Sequence, residues 1–297
     1  MTERVRVIVN PAAGRGRGEA LLPGIKSEFS AVGISDIVTT TIAGDEAKLA
    51  VAAIREGCTT LVVAGGDGTT SRVANAILAT DRRVRLCVLP VGTGNDFAKV
   101  VSSRAGNTAA VARGCLESPS TTVDVGQVER TYFLNSCGFG FDVAVLQAAA
   151  KMRWLRGNAL YMTAALRELV GFGDSRIGIT SAAGAREPVS HLLLVIANAP
   201  YFGGTFTIAP AASVTDGKLD LISVFDVPIR RRIAVLAAAT RGTHLRFPEC
   251  SAQQGAEFSL AFDRPPAYEI DGELRQSATA VVSVCCIASA LRVVIPE

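Results

Sequence analysis

Leu61-Val62-Val63-Ala64-Gly65-Gly66-Asp67-Gly68-Thr69 is the stretch on which the reading of this chain turns. Its apolar residues suit a buried strand, and beyond the glycines Val73, Ala76 and Ile77 recur at helical spacing. Two adjacent glycines let main-chain N–H groups converge on an anion, and the following helix adds the positive end of its dipole. Asp67 would repel a bare phosphate, and makes sense where a magnesium ion or a hydroxyl lies between them. The plainer reading is a tight turn with Asp67 as a helix cap.

The same unit recurs on either side. Residues 5–9 form an apolar run that ends in Asn10-Pro11-Ala12-Ala13-Gly14-Arg15-Gly16-Arg17-Gly18, with a helix to about Phe29. Residues 36–40 suit a second strand, and Gly44-Asp45 opens a helix carrying Ala47, Val51 and Ile54. Residues 86–89 suit a fourth, ending in Pro90-Val91-Gly92-Thr93-Gly94-Asn95-Asp96-Phe97-Ala98. Strands alternating with helices predict a Rossmann-like parallel sheet, and such sheets hold ligands at the carboxyl ends of their strands. Gly14, Gly16 and Gly18 miss the GxGxxG dinucleotide spacing. Taken together, three glycine-bearing turns at one sheet edge point to a polyanionic ligand.

Past residue 122 the rhythm changes. Residues 123–128 alternate, 132–141 are aromatic and glycine-rich, and one helical interval is expected over 143–170. Short strands are expected at 176–180, 191–196, 205–208, 218–224, 257–262, 267–270, 280–285 and 291–295, with a lone helix at 228–240. The fold class expected is α/β plus β. A Rossmann-like α/β domain covers 1–122, which the last ~10 residues can complete, and a β-sandwich or barrel domain covers 123–297. With no long linker, the two are expected to abut with a cleft between them.

Bulk properties narrow the function classes. The chain has 297 residues, 49% of them hydrophobic, and a mean hydropathy of +0.33, enough apolar material for two cores. Its longest uncharged run, 276–291, has 16 residues, whereas a spanning helix wants about 20 apolar ones. The amino terminus enters a strand without a signal peptide, so a cytoplasmic location is expected. Seven cysteines without a CxxC pair read as free core thiols. Two distant histidines, His191 and His244, argue against a Ser/His/Asp triad or a zinc site, leaving proton transfer to a carboxylate. A net charge of +3 is too mild for a nucleic-acid binder. Lys151, Arg153 and Arg156 surround Trp154, which suits either rest on an anionic lipid surface or a solvated helix face.

No GxxxxGK[ST] loop and no HRD or DFG motif occurs. The turns Asn10-Pro11-x-x-Gly14, Gly65-Gly66-Asp67-Gly68-Thr69 and Gly92-Thr93-Gly94-Asn95-Asp96-Phe97-Ala98, in this order, resemble the diacylglycerol kinase catalytic-domain family. That family includes soluble bacterial lipid kinases and is related to sphingosine and ceramide kinases. The resemblance continues through Ala197-Asn198, Tyr201-Phe202-Gly203-Gly204, Ile208-Ala209-Pro210, Asp216-Gly217-Lys218-Leu219-Asp220 and Ile270-Asp271-Gly272-Glu273. It covers nearly the whole chain.

The resemblance implies an ATP- and Mg2+-dependent lipid kinase with a NAD kinase/diacylglycerol kinase-like fold. Asp271 would be the general base, supported by Gly272 and Glu273. ATP would lie against Asn10, Pro11, Ala12, Ala13, Gly14, Thr40, Gly65, Gly66, Asp67, Gly68, Thr69, Thr70, Ser71, Thr93, Asn95 and Asp96, with Asp67 and Asp96 organising magnesium and phosphate. A further magnesium would be held by Ser213, Asp216 and Lys218, the first and third through backbone oxygen. One departure stands out: Ser71 and Arg72 occupy positions where the family usually has Asn and Glu. Arg72 suits a phosphate contact or an exposed helix face.

The rivals are an NAD kinase-like enzyme, which shares the GGDGT turn and the two-domain plan, and a nucleotide- or lipid-binding relative that has lost phosphoryl transfer. The three other motifs disfavour the first, and Asp271 disfavours the second. Diacylglycerol, giving phosphatidic acid, is the default acceptor among lipid alcohols. The expected partners are that lipid and a peripheral contact with an anionic membrane, with a homodimer allowed for and no nucleic acid.

Overall fold

The computed structural model describes residues 3–80, 83–101, 106–151, 164, 167–169, 171–173 and 175–296. The chain divides into two compact units, Met1–Val125 with Ala288–Glu297, and Gly126–Ile287.

Four strands of the first unit come from its amino-terminal part: β1 (Val5–Val9), β2 (Ile37–Thr39), β3 (Thr60–Gly65) and β4 (Arg85–Pro90). The end of the chain's last strand, β17 (Val281–Val294), joins them. They form a parallel sheet in the order β17-β4-β3-β1-β2. Strands rich in Val, Leu and Ile with no polar alternation suit a sheet buried on both faces. Val5, Val7 and Val9 pack with Ile25 and Phe29 of α1 (Ala13–Ala31) and with Val111 and Cys115 of α5 (Thr108–Glu117). Ile8, Leu61 and Val63 point the other way by the two-residue period of a strand and are equally buried. That second face carries α2 (Asp45–Arg55) and α3 (Asp67–Leu78), and the short α4 (Asp96–Val101) follows β4.

The second unit is an antiparallel β-sandwich. Its interior is lined from β7 (Ser136–Gly140), β8 (Ser175–Ser181), β9 (Gly184–Ala197), β12 (Leu219–Phe225), β14 (Glu257–Phe262), β15 (Ala267–Ile270) and the first half of β17. Leu194 and Ile196 of β9 face this interior, whereas Leu193, Val195 and Ala197 pack with Val235 and Ala239 of α7 (Ile229–Ala239). The period of two thus gives β9 two apolar faces. Among the described residues, seven free cysteines are present, five of them buried.

Several sequence expectations are corrected. The strands expected at 280–285 and 291–295 are one strand, β17, which passes Ser289 at φ 51. Within that unit Ser289 N–H donates to Asp124 Oδ1 at 2.7 Å, so the unusual backbone is anchored. The strand expected at 191–196 begins at Gly184, because its polar first half pairs with β8 while exposed to solvent. At 205–208 only Phe206–Thr207 (β11) is extended, paired with Tyr201–Phe202 (β10). Polar strands β13 (Cys250–Gly255) and β16 (Glu273–Gln276) lie at sheet edges and lack the apolar alternation that marks a strand in sequence. The helix expected over 143–170 is described as α6 (Phe141–Lys151), and most of the remainder lies outside the described residues. No described helix is long and apolar enough to cross a membrane.

Gly126 of β5 (Ser120–Val128) faces Phe133 of β6 (Thr131–Phe133) across the pair. A Cβ at Gly126 would lie 1.9 Å from the ring of Phe133, which is fully buried. Gly126→Ala is therefore expected to cost about 2–3 kcal/mol, read as a lowered denaturant midpoint at unchanged slope.

Candidate active site

The turns after β1, β3 and β4 form one connected cluster within the first unit. Asn10 follows β1, and its Nδ2 donates to Thr69 Oγ1 at 2.8 Å while its Oδ1 accepts from Ala12 N–H at 3.0 Å. A Cβ on Gly14 would lie 2.2 Å from the Val91 carbonyl oxygen, so only glycine lets these two turns meet. Gly14, Arg15 and Gly16 all take positive φ, opening a small loop before α1 becomes regular. Gly65 O accepts from Val91 N–H at 2.8 Å and from Gly92 N–H at 3.2 Å. The main chains of Gly66 and Gly92 touch: a Cβ on Gly92 would lie 2.5 Å from Gly66 Cα.

Side chains tighten the same edge. Asp67 is the first residue of α3, after Gly66 at the N-cap; its Oδ1 accepts from Phe97 N–H at 3.3 Å and ties the β3 turn to α4. Asn95 sits at φ 53, and its Nδ2 donates to Gly92 O at 2.8 Å. Asp96 is buried and pairs with Lys99 at 2.8 Å. Thr70 Oγ1 donates to Gly66 O at 3.0 Å, and Thr40 N–H donates to Val9 O at 2.9 Å. Pro11, Ala13, Gly68 and Ser71 are partly exposed around the cluster, and Ala12 and Thr93 are exposed.

Arg72 meets a partner that sequence reading missed. Its guanidinium donates to Glu46 at 3.3 Å. Glu46 is only 1% exposed and also accepts from Asn10 Nδ2 at 3.3 Å and Gly44 N–H at 2.9 Å. Glu46 shares the inward face of α2 with Ala50, Ala53 and Ile54, a helical spacing visible in the sequence once the face is recognised. Arg72 thus neutralises a buried acid beside Asn10.

In the second unit, Asp271 and Gly272 form the two-residue connection between β15 and β16, at φ 45 and 85. Asp-Gly favours such hairpin turns, so the plain structural reading of this pair holds too. The Asp271 carboxylate is 8% exposed and accepts from three main-chain N–H groups: Leu134 at 2.9 Å, Asn135 at 2.9 Å and Ser136 at 3.3 Å. Asn198 braces this loop, its Nδ2 donating to Leu134 O at 2.9 Å and its N–H to Asn135 O at 2.8 Å. Glu273 pairs with Arg275 at 2.9 Å.

Ser213, Asp216 and Lys218 sit together on the loop before β12. Asp216 is exposed, its Oδ1 accepts from Lys218 N–H at 3.0 Å, and Gly217 between them has φ 71. This turn offers one carboxylate, the Ser213 hydroxyl and main-chain carbonyls. An all-oxygen set with a single charge fits a largely hydrated magnesium ion. Among the described residues no cluster of three His, Cys, Asp or Glu could hold a metal. Lys151 is exposed, and Arg153, Trp154 and Arg156 lie outside the described residues.

A doubly wound parallel unit with glycine turns gathered at one edge, followed by a β-sandwich unit, defines a kinase fold shared by lipid and NAD kinases. The family described as "Diacylglycerol kinase catalytic domain" matches residues 4–128, and "YegS C-terminal NAD kinase beta sandwich-like domain" matches residues 135–295. The diacylglycerol kinase of Bacillus subtilis is 28% identical over 273 residues, covering 91% of this chain and 90% of that protein. That of Mycobacterium tuberculosis is 26% identical over 301 residues, covering 99% and 96%. In fold, the chain resembles a diacylglycerol kinase structure from Bacillus anthracis, with a TM-score of 0.72 and 19% identity over 98% of this chain and 96% of that one. An NAD kinase from Archaeoglobus fulgidus in complex with ATP has a TM-score of 0.55 and 10% identity over 99% and 93%.

The chain belongs to the diacylglycerol kinase family and is a lipid kinase.

Arg72→Ala is expected to cost about 2 kcal/mol by stranding the buried Glu46 carboxylate. Adding Glu46→Gln should recover most of that loss in the denaturant midpoint.

Proposed function

We propose that this enzyme transfers the γ-phosphoryl group of ATP to the hydroxyl of a lipid alcohol, with diacylglycerol giving phosphatidic acid. The supporting observation is the Asp271 carboxylate, fixed by three main-chain N–H groups on a strained two-residue turn. A base held this firmly loses little orientational entropy when a hydroxyl proton must be taken. Relatives named diacylglycerol kinase support the acceptor.

In this reading the first unit receives the nucleotide. The 65–71 and 92–96 turns and the 10–14 loop receive the phosphates, aided by the N-terminal dipole of α3. Asn10, Thr40, Thr69 and Thr93 supply hydrogen bonds, and Asp67 and Asp96 organise phosphate and magnesium. Magnesium, when bound, offsets the negative charge of the phosphates. A second ion at Ser213, Asp216 and Lys218 would brace the loop before β12. Asp271 accepts the proton of the attacking hydroxyl, and the oxygen so activated displaces ADP at phosphorus.

A bilayer lipid requires the enzyme to meet a membrane surface. We assign that contact to the basic residues Lys151, Arg153 and Arg156 around Trp154, with the enzyme otherwise cytoplasmic and serving phospholipid synthesis.

Transfer of labelled phosphate from ATP to lipid micelles tests the reaction. Asp271→Asn should lower kcat by about 10²-fold or more with KM for ATP nearly unchanged. Full activity in that variant, or no labelled lipid with wild type, would reject the reading. Neutralising Lys151, Arg153 and Arg156 together should abolish binding to anionic vesicles, whereas unchanged binding removes the proposed docking site.

A further inference from the structure

Behind Asp271 lie two buried acids that the proposed reaction does not use. Gly138 of β7 pairs with Glu269 of β15, and α6 begins three residues later. Asp142, in the first turn of α6, folds back onto Gly138. A Cβ there would lie 1.9 Å from Asp142 Oδ2 and 3.1 Å from Glu269 Cγ. The glycine therefore leaves the gap that brings the two acids together. Asp142 is 7% exposed and Glu269 2%.

Their hydrogen bonding differs. Glu269 Oε2 accepts from Gly272 N–H at 2.7 Å, and Oε1 accepts from the Ser136 hydroxyl at 3.5 Å. Gly272 is the residue after Asp271, and Ser136 N–H is one of the three donors to the Asp271 carboxylate. Glu269 thus joins both sides of the turn on which Asp271 stands. Neither oxygen of Asp142 has a partner with hydrogen-bond geometry, although its own N–H and that of Val143 lie near it. A buried carboxyl so weakly partnered is costly and calls for an explanation.

We propose that Glu269 is a positioning residue for Asp271, clamping its turn to β7, and that Asp142 behind it sets the charge against which Asp271 works. This rests on Asp271 being the base. Burial pushes the Asp142 carboxyl up to about 7. Burial, then the nearby Asp142 and Asp271, hold Glu269 well above the usual carboxylate range. Among the described residues, titratable groups near the pair include Asp271, Cys137 of β7, held neutral by burial, Glu129, and Glu273 of β16, which pairs with Arg275. Among the described residues neither acid has a salt-bridge partner.

Burial thus favours the uncharged form of Glu269 as a clamp, while Asp142 changes charge near neutral pH. An ionised Asp142 adds negative charge behind Asp271, raises its proton affinity and strengthens it as a base. Folding favours the protonated form of Asp142. Its stability contribution is therefore intact below the ordinary Asp value, falls as pH rises towards 7, and levels above it.

The test is the pH profile of kcat/KM for lipid phosphorylation in the full-length enzyme. Wild type should show a rise with a midpoint near 7 that Asp142→Asn removes, an effect a purely structural role would not produce. Glu269→Gln, which mimics the uncharged acid, should stay within about threefold of wild type. Glu269→Ala should lose about 30-fold in kcat with KM for ATP unchanged. A second measurement needs no activity: from about pH 5 to about pH 7.5 the denaturant midpoint of wild type should fall relative to that of Asp142→Asn. Superimposable pH profiles, parallel midpoints, or a wild-type-like Glu269→Ala would each overturn the proposal. If Asp271→Asn is inactive while Asp142→Asn keeps the wild-type profile, only this inference fails. If Asp271→Asn is active, the base assignment fails and this inference with it.

Discussion

Gly66 and Gly92 bring two main chains into contact at the carboxyl edge of the parallel sheet, with no room for a side-chain carbon between them. Gly65 O joins them by accepting from both Val91 and Gly92 N–H. The β1 turn reaches the same place through Asn10 and Thr69, and through the close approach of Gly14 to the Val91 carbonyl. Polar side chains at this edge could fold in many ways. Glycine contacts leave one arrangement, in which the three turns meet beside the N-terminus of α3. Preorganisation of this kind favours binding of any ligand, because a ligand gains little from groups that must first be ordered.

Buried acids in the two units are compensated to different degrees. In the first, Glu46 is buried yet meets Arg72, Asn10 and Gly44, so an acid beside the glycine turns has partners for its charge. In the second, Asp271 draws on three main-chain donors, whereas Asp142 finds no partner in hydrogen-bond geometry and Glu269 has only neutral donors. The contrast separates an acid whose charge is met by donors from acids whose uncharged form burial favours.

Motif residues and their supports differed in legibility. Glycine turns announced themselves, since a glycine pair between an apolar run and a helix has few other uses. The polar strands β13 and β16 did not, because edge strands need no apolar alternation. Glu46 was hidden by its neighbours' modest hydrophobicity. Glu269 was hidden more thoroughly: alternation in β15 puts Tyr268 and Ile270 in the core and assigns Glu269 to the opposite face, which another element covers. Arg72 was read as a departure towards phosphate or solvent, and its partner lies on α2, 26 residues away.

The amino-acid sequence by itself determined the α/β plus β plan, the three glycine-bearing turns and the Asp-Gly hairpin that carries Asp271, because each depends on local periodicity or backbone freedom. Tertiary structure alone decided what those turns touch. It set Gly66 against Gly92, gave Arg72 its acid and seated the Asp271 carboxylate on the Leu134, Asn135 and Ser136 amides. These partners are separated by tens to more than a hundred residues. Contact over such distances is set by packing, which no local pattern encodes.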